Sequence, residues 1–184
     1  TPIEDLVRNT IKKIGYDQEG FNWKTVSIEN NLHQQSKDIA AGVNKKNEKE
    51  QGAGDQGIMF GYACNETKEL MPAPIYYSHL ILELLAKSRH NGDNKLLLPD
   101  SKSQVSLDYK NGKPYRASAI VVSTQHDPSL NQEDVKEIVR PYVIDALPKG
   151  WMCEEENFFV NPTGRFVIGG PVGDSGLTGR KIIV

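Results

Sequence analysis

The chain has 184 residues, of which 38% are hydrophobic and 25% are charged, and its formal net charge is −2. This composition is typical of a globular protein and excludes a wholly disordered chain. The near-neutral charge argues against a nucleic-acid binder, and no segment has the ~20 apolar residues that a membrane-spanning helix needs.

The first third of the chain predicts one helix, two short strands and a long polar segment. Apolar residues at helical spacing predict an amphipathic helix over residues 4–14, closed by Gly15. Weak alternation predicts a strand from Trp23 to Glu29, and an apolar run predicts a second strand over Met59–Cys64. Residues 36–51 are lysine-rich and lack apolar periodicity, which is typical of a mobile lid or an interdomain linker.

The following hundred residues predict a helix, a hairpin, a second helix and a final strand. The helix starts near Pro74, and Asn111-Gly112 predicts a hairpin turn between strands over 103–109 and 117–124. The second helix starts near Asn131, and the strand is Phe158-Phe159-Val160. With the strand at 59–64, the order β-α-β-β-α-β predicts an α+β fold, a two-layer αβ sandwich with both helices on one sheet face.

Two glycine-rich segments are candidates for a binding site. They span 52–57 and 164–181, and each contains an aspartate, Asp55 in the first and Asp174 in the second. Glycine lets the backbone approach a ligand closely and present N–H groups to anions. Neither segment matches GxxxxGK[ST] or a GxGxxG that opens a helix, so ordinary turn-rich connections remain the alternative.

The sequence Gly173-Asp174-Ser175-Gly176 also resembles the nucleophile turn of trypsin-like proteases, with His126 as a possible base. Leu177 stands where that family has glycine, and the predicted helices do not suit a double β-barrel. This alternative is therefore disfavoured.

Long collinear motifs carry a more specific resemblance. They are GAGDQGIMFGY (52–62), LMPAP (70–74), LPDSKSQV (98–105), STQH (123–126), NPTGRF (161–166) and GPVGDSGLTGRK (170–181). Together they resemble the S-adenosylmethionine synthetase (methionine adenosyltransferase) family, whose domains are two-layer αβ sandwiches. The resemblance implies a transferase that joins the sulfur of L-methionine to C5′ of ATP and then hydrolyses the released triphosphate to pyrophosphate and phosphate.

The resemblance also implies roles for individual residues. Lys102, Asp174, Arg180 and Lys181 are implied as catalytic. The implied ATP-binding residues are Asp100, Ser101, Lys102, Arg165, Phe166, Asp174, Arg180 and Lys181, with Phe166 stacking on adenine. Gln35, Asp55 and Asp174 are implied as methionine-binding, and Asp55 is a partner for the ammonium group.

The resemblance further implies Mg²⁺, two ions per site, and K⁺ as cofactors, with ligands mostly outside this chain. It implies a homodimer with active sites between the subunits, or a dimer of dimers, and no nucleic-acid or membrane partner. Cys64 and Cys153 form no CxxC motif, which together with the absence of a signal-peptide pattern favours the cytoplasm.

The N-terminal His-Pro-Asp segment of the family is absent, so we expect a fragment that is inactive alone. The expected parts are the end of the N-terminal domain (1–35), the active-site lid or linker (36–51), the central domain (52–168) and the start of the C-terminal domain (169–184). A non-catalytic structural or regulatory homologue is the alternative. Retention of the charged residues at the matched positions favours the enzyme.

Overall fold

The computed structural model describes residues 2–38, 40 and 60–176. Asp55, Arg180 and Lys181 lie outside these residues, as does most of the predicted lid at 36–51. None of the helices within the described ranges is long and apolar enough to cross a membrane.

The N-terminal segment forms one helix and a small hairpin. Helix α1 spans Ile3–Ile14 and ends at Gly15, whose φ of 104° turns the chain so that the N–H of Tyr16 reaches the carbonyl of Ile11 at 3.2 Å. Strands β1 (Asp17–Gln18) and β2 (Phe21–Asn22) pair antiparallel. The strand predicted over 23–29 is wrong, because residues 23–25 form a turn and residues 26–29 have no regular structure.

Helix α2 spans Ala73–Asn91 and confirms the helix predicted from Pro74. It ends at Gly92, which has a φ of 83°. The strand predicted before it is wrong within the described residues, since residues 60–64 form no strand. Phe60 and Tyr62 are 90% and 76% exposed there, and a strand needs a neighbouring strand to bond its backbone groups.

The predicted hairpin is confirmed and is longer than predicted. Strands β3 (Leu97–Lys110) and β4 (Lys113–His126) pair antiparallel around Asn111 and Gly112. These two residues have φ values of 53° and 71°, as a type I′ turn requires. Ser101 pairs with Thr124 and Lys102 with Ser123, so Ser101 and Lys102 point to opposite faces of the sheet.

Helix α3 (Gln132–Ala146) and strand β5 (Phe158–Val160) complete the sheet and its cover. Asn131 caps α3 by accepting the N–H of Asp134, and the helix continues through Pro141. Strand β5 lies parallel to β4, which gives the order β3-β4-β5.

The core lies between the sheet and both helices, which pack on the same face of the sheet. Its sheet side includes Ile120, Val122 and Val160. The helix side includes Ile81 of α2 and Val139 of α3, both fully buried. This arrangement confirms the α+β fold with both helices on one face. The domain boundaries predicted from the sequence stay predictions.

Candidate active site

Three distant segments meet at the end of the sheet where β3 begins and β4 ends. We call this place the junction; it consists of Gln18, Asp100, Gln125, His126 and the segment 166–170. The Gln125 side chain is fully buried, and its Nε2 donates to Oε1 of Gln18 at 2.8 Å and to the Val167 carbonyl at 2.9 Å. Nε2 of Gln18 in turn donates to the carbonyl of Gly169 at 2.8 Å. One buried amide therefore links the N-terminal hairpin, the central sheet and the segment 166–170.

Asp100 binds the same segment through its carboxylate. Its Oδ2 accepts the N–H of Gly170 at 2.8 Å, and its own N–H lies 3.4 Å from Oε1 of Gln125. A Cβ on Gly169 would lie 2.7 Å from the Gln125 amide and 2.9 Å from Cβ of Asp100. The contact leaves no room for a side chain, which explains a glycine at this position without reference to a ligand.

His126 binds both main-chain polar groups of Phe166. Its N–H donates to the Phe166 carbonyl at 2.9 Å, and the Phe166 N–H donates to Nε2 of His126 at 3.1 Å. The other ring nitrogen, Nδ1, lies 2.9 Å from the carbonyl of Asp127. These partners assign the proton to Nδ1 and the lone pair to Nε2, so the imidazole is neutral.

A buried asparagine sets the turn that leads into Arg165 and Phe166. The Asn161 side chain accepts the N–H of Thr124 at 2.8 Å and donates to the Thr124 carbonyl at 3.1 Å. The Asn161 carbonyl accepts the N–H of Gly164 at 2.8 Å. Asn161 thus continues the pairing of β5 with β4 by one residue and then reverses the chain.

The motif residues on β3 divide between the two faces of the sheet. Lys102 is exposed on the face opposite the helices. Oγ of Ser101 lies 2.8 Å from Oγ1 of Thr124, on the helix side. Of the residues predicted to bind ATP, Asp100 is part of the junction and Lys102 follows it two positions later on β3. The hydroxyl of Ser101, between them, is bonded within the fold.

The remaining predicted residues are mostly exposed. Arg165 is exposed, and Phe166 is half-buried beside His126. Asp174 is exposed, and its N–H donates to the Gly170 carbonyl at 3.0 Å. Gln35 is exposed in a stretch without regular structure. The structure brings Asp100, Phe166 and Gly170 together, and it does not bring Gln35 to them by any hydrogen bond among the described residues.

A phenol and a guanidinium flank the junction on the side of α1 and α2. Burial raises the pKa of Tyr16, the carboxylate of Asp100 raises it further, and the cation of Arg89 opposes both effects. Burial also lowers the pKa of Arg89, whose Nε has no hydrogen-bond partner among the described residues. Tyr16 is therefore a neutral hydroxyl at physiological pH.

Two chemistries can be tested against these residues. Within residues 2–38, 40 and 60–176, no three His, Cys, Asp or Glu side chains are placed to hold a metal ion. A metal centre built from three such side chains is therefore not formed within these ranges. The protease arrangement is not formed either, because His126 is 1% exposed and both of its ring nitrogens are bonded to the backbone.

Sequence reasoning missed Gln125 and Asn161 as organising residues. Both lie inside quoted motifs, Gln125 in STQH and Asn161 in NPTGRF. The available signal was a polar amide at the end of a strand for Gln125 and directly after a strand for Asn161, where burial needs a defined set of hydrogen-bond partners.

Comparison with known proteins places the chain in a family context. Residues 50–166 match the family model of the S-adenosylmethionine synthetase central domain. An S-adenosylmethionine synthase of Paramagnetospirillum magneticum is 64% identical over 182 residues, which cover 99% of this chain and 47% of that protein. S-adenosylmethionine synthase 2 of Rhodospirillum rubrum is 62% identical over 182 residues, 99% of this chain and 46% of that protein. The chain spans about half the length of the curated relatives it matches.

Proposed function

Because the chain belongs to the S-adenosylmethionine synthetase family, with its central domain at residues 50–166, we propose that it takes part in synthesis of S-adenosylmethionine. The substrates are ATP and L-methionine, and the products are S-adenosylmethionine, pyrophosphate and phosphate. The proposal is supported by two relatives that are named S-adenosylmethionine synthase and S-adenosylmethionine synthase 2. They are 64% and 62% identical to this chain.

The reaction forms one bond and breaks one at the same carbon. A lone pair on the methionine sulfur attacks C5′ of ATP, and the C5′–O bond breaks with its electrons going to the triphosphate. Water then cleaves the triphosphate to pyrophosphate and phosphate. Preorganised cations and N–H donors stabilise the charge that develops on the leaving oxygen, and holding both substrates in line lowers the entropic barrier.

The residues divide by the part of ATP that they contact. Arg165 and Phe166 hold the adenosine, with the Phe166 ring stacked on adenine. Lys102, Arg180 and Lys181 neutralise the triphosphate. Asp174 lies near both substrates.

Two further carboxylate and amide residues complete the proposal on the methionine side. Gln35 and Asp55 bind methionine, and the Asp55 carboxylate pairs with its ammonium group. Asp100 and Ser101 belong to the nucleotide site. Gly170 bonds one carboxylate oxygen of Asp100, and the other accepts no hydrogen bond from the residues that the structure describes.

The proposal extends to cofactors and assembly. Mg²⁺ and K⁺ would supply additional positive charge to the triphosphate and the site, with ligands from residues outside those described. A homodimer with active sites between subunits, or a dimer of such dimers, would bring these parts together in the cytoplasm. The chain would then contribute parts of three domains, at 1–35, 52–168 and 169–184, and a lid or linker at 36–51.

The observation that carries the proposal is the hydrogen bonding of the junction. The bond from Gly170 to Asp100 and the two bonds between Phe166 and His126 tie the adenosine-binding segment to the strand pair that bears Lys102. Asp100 and Gly170 are 70 residues apart in sequence, so two distant motifs meet at one place, as a shared nucleotide site requires.

The test is an assay of S-adenosylmethionine formation with the full-length gene product, ATP, L-methionine, Mg²⁺ and K⁺. Lys102→Ala should lower turnover about 10²–10³-fold, the scale for one lost preorganised electrostatic contact. Lys181→Ala should act in the same direction, and methionine binding should change little in both.

The matched control is Lys110→Ala, because Lys110 is an exposed lysine at the far end of the same strand. We expect it to turn over like the wild type. Equal losses from Lys102→Ala and Lys110→Ala would refute the role of Lys102. Robust turnover by the 184-residue chain alone would refute the expectation that other parts are needed.

A further inference from the structure

His126 is a buried histidine whose two ring nitrogens are both bonded to the main chain. Its side chain is 1% exposed, and it bonds both polar main-chain groups of Phe166, one with its ring and one with its backbone. Both ring nitrogens have partners, so the imidazole has no free atom for proton transfer or for a ligand. Any effect of His126 on catalysis must therefore act through the residues that it holds.

The two hydrogen bonds between His126 and Phe166, which we call the anchor, start from the end of a strand. His126 is the last residue of β4 and pairs with Leu97 of β3, the strand that carries Asp100 and Lys102. Adjacent strands lie about 4.8 Å apart, so the Phe166 main chain is held at a defined distance from that strand. The Phe166 side chain is half-buried and the preceding Arg165 is exposed, and both follow the position of the anchored backbone.

The rest of the junction holds the segment on its other side. Val167, Gly169 and Gly170 are bonded to Gln125, Gln18 and Asp100 respectively. Removal of the imidazole therefore removes one of the two bonds that hold Phe166, while the bond from the His126 backbone and the attachment at Gly170 remain. The expected result is a local displacement rather than loss of the whole segment.

We propose that His126 is a positioning residue that orients Arg165 and Phe166 for the adenosine part of ATP. This inference rests on the proposed function and adds a residue that acts only on the nucleoside. A displacement near 1 Å can cost 10²-fold in a positioned reaction. The triphosphate part of the site does not depend on this anchor.

The test compares the use of ATP, which contains adenosine, with the hydrolysis of inorganic triphosphate, which does not. In the full-length gene product, His126→Phe keeps an aromatic ring of similar size and removes both nitrogens. We expect the KM for ATP to rise about 10- to 100-fold. The KM for methionine and the hydrolysis of added inorganic triphosphate, which has no adenosine, should stay within about twofold.

Two amide variants keep the test decisive if His126→Phe does not fold. A glutamine side chain is long enough to place an acceptor near Nε2, whereas asparagine reaches only as far as Nδ1. His126→Gln should therefore restore most of the ATP affinity, and His126→Asn should not. The control is Tyr142→Phe, which removes a half-buried hydroxyl that lies 2.5 Å from Ser88 Oγ in the helix layer. It should leave the KM for ATP unchanged.

The outcomes distinguish the inference from the proposed function. Equal losses in ATP use and triphosphate hydrolysis in His126→Phe, or equal KM values for ATP in the Gln and Asn variants, would overturn the positioning role. A wild-type protein that forms no S-adenosylmethionine from ATP and methionine would instead overturn the proposed function.

Discussion

Replacing Asn161 by alanine removes the side chain that continues the sheet beyond β5. The Asn161 side chain is 1% exposed and bonds both the N–H and the carbonyl of Thr124, which is itself buried. In the alanine variant both Thr124 groups lose their partners inside the protein. The backbone conformation is a second cost, because Asn161 has a φ of 45°.

The two costs can be estimated separately. A buried backbone group left without a partner costs about 1–3 kcal/mol. A left-handed conformation costs a residue with a Cβ about 1–2 kcal/mol, and alanine bears more of this cost than asparagine, whose side chain can bond locally. Water entering the space recovers part of the first cost, so we expect Asn161→Ala to lower the free energy of unfolding by about 3–5 kcal/mol. Asn161→Gly loses the same two bonds without the conformational cost and should be about 1 kcal/mol more stable than Asn161→Ala.

The measurement is urea-induced unfolding followed by circular dichroism, with the free energy obtained by linear extrapolation at a common m value. A loss below about 1 kcal/mol for Asn161→Ala would show that the two bonds contribute little to stability. A glycine variant less stable than the alanine variant would contradict the conformational part of the reasoning.

Two further predictions concern pH and the close contact at Gly170. Hydrogen bonds from Arg140 and then Lys136 lower the pKa of Glu155 to about 2 from 4.5. This stabilisation is complete above pH 4.5 and is lost as the pH falls toward 2. The thermal unfolding midpoint should therefore fall less between pH 4.5 and pH 2 in Glu155→Gln than in the wild type. Gly170→Ala places a Cβ 2.5 Å from the Tyr16 ring at a φ of 66°. This variant should speed hydrogen exchange of the backbone amides of residue 170 and Phe166. Unchanged exchange of both amides would contradict the packing of Tyr16 against this glycine.

The parts of the fold that were predicted correctly depend on local signals. Asn111-Gly112 determines the hairpin turn because both residues tolerate positive φ, and helical apolar spacing determines α2 and α3. The strands predicted over 23–29 and 59–64 are wrong in the described residues because a strand also needs a neighbour to bond. Short apolar alternation does not specify that neighbour.

The candidate site divides in the same way. The motifs in the sequence single out Asp100, Arg165 and Phe166, and the roles of these three residues stay predictions. The organising amides of Gln125 and Asn161 were not predicted, because a buried amide is useful only when its partners are in place. Those partners, Gln18, Val167 and Thr124, come from different parts of the chain.

The sequence alone determined the family resemblance, the hairpin turn and the presence of α2 and α3, because each follows from neighbouring residues and their periodicity. The tertiary structure alone decided that Ser101 and Lys102 point to opposite sides and that His126 holds Phe166 rather than acting as a base. The physical reason is that hydrogen-bond partners of buried polar groups are set by strand register and by contacts between distant segments, which a linear pattern does not specify.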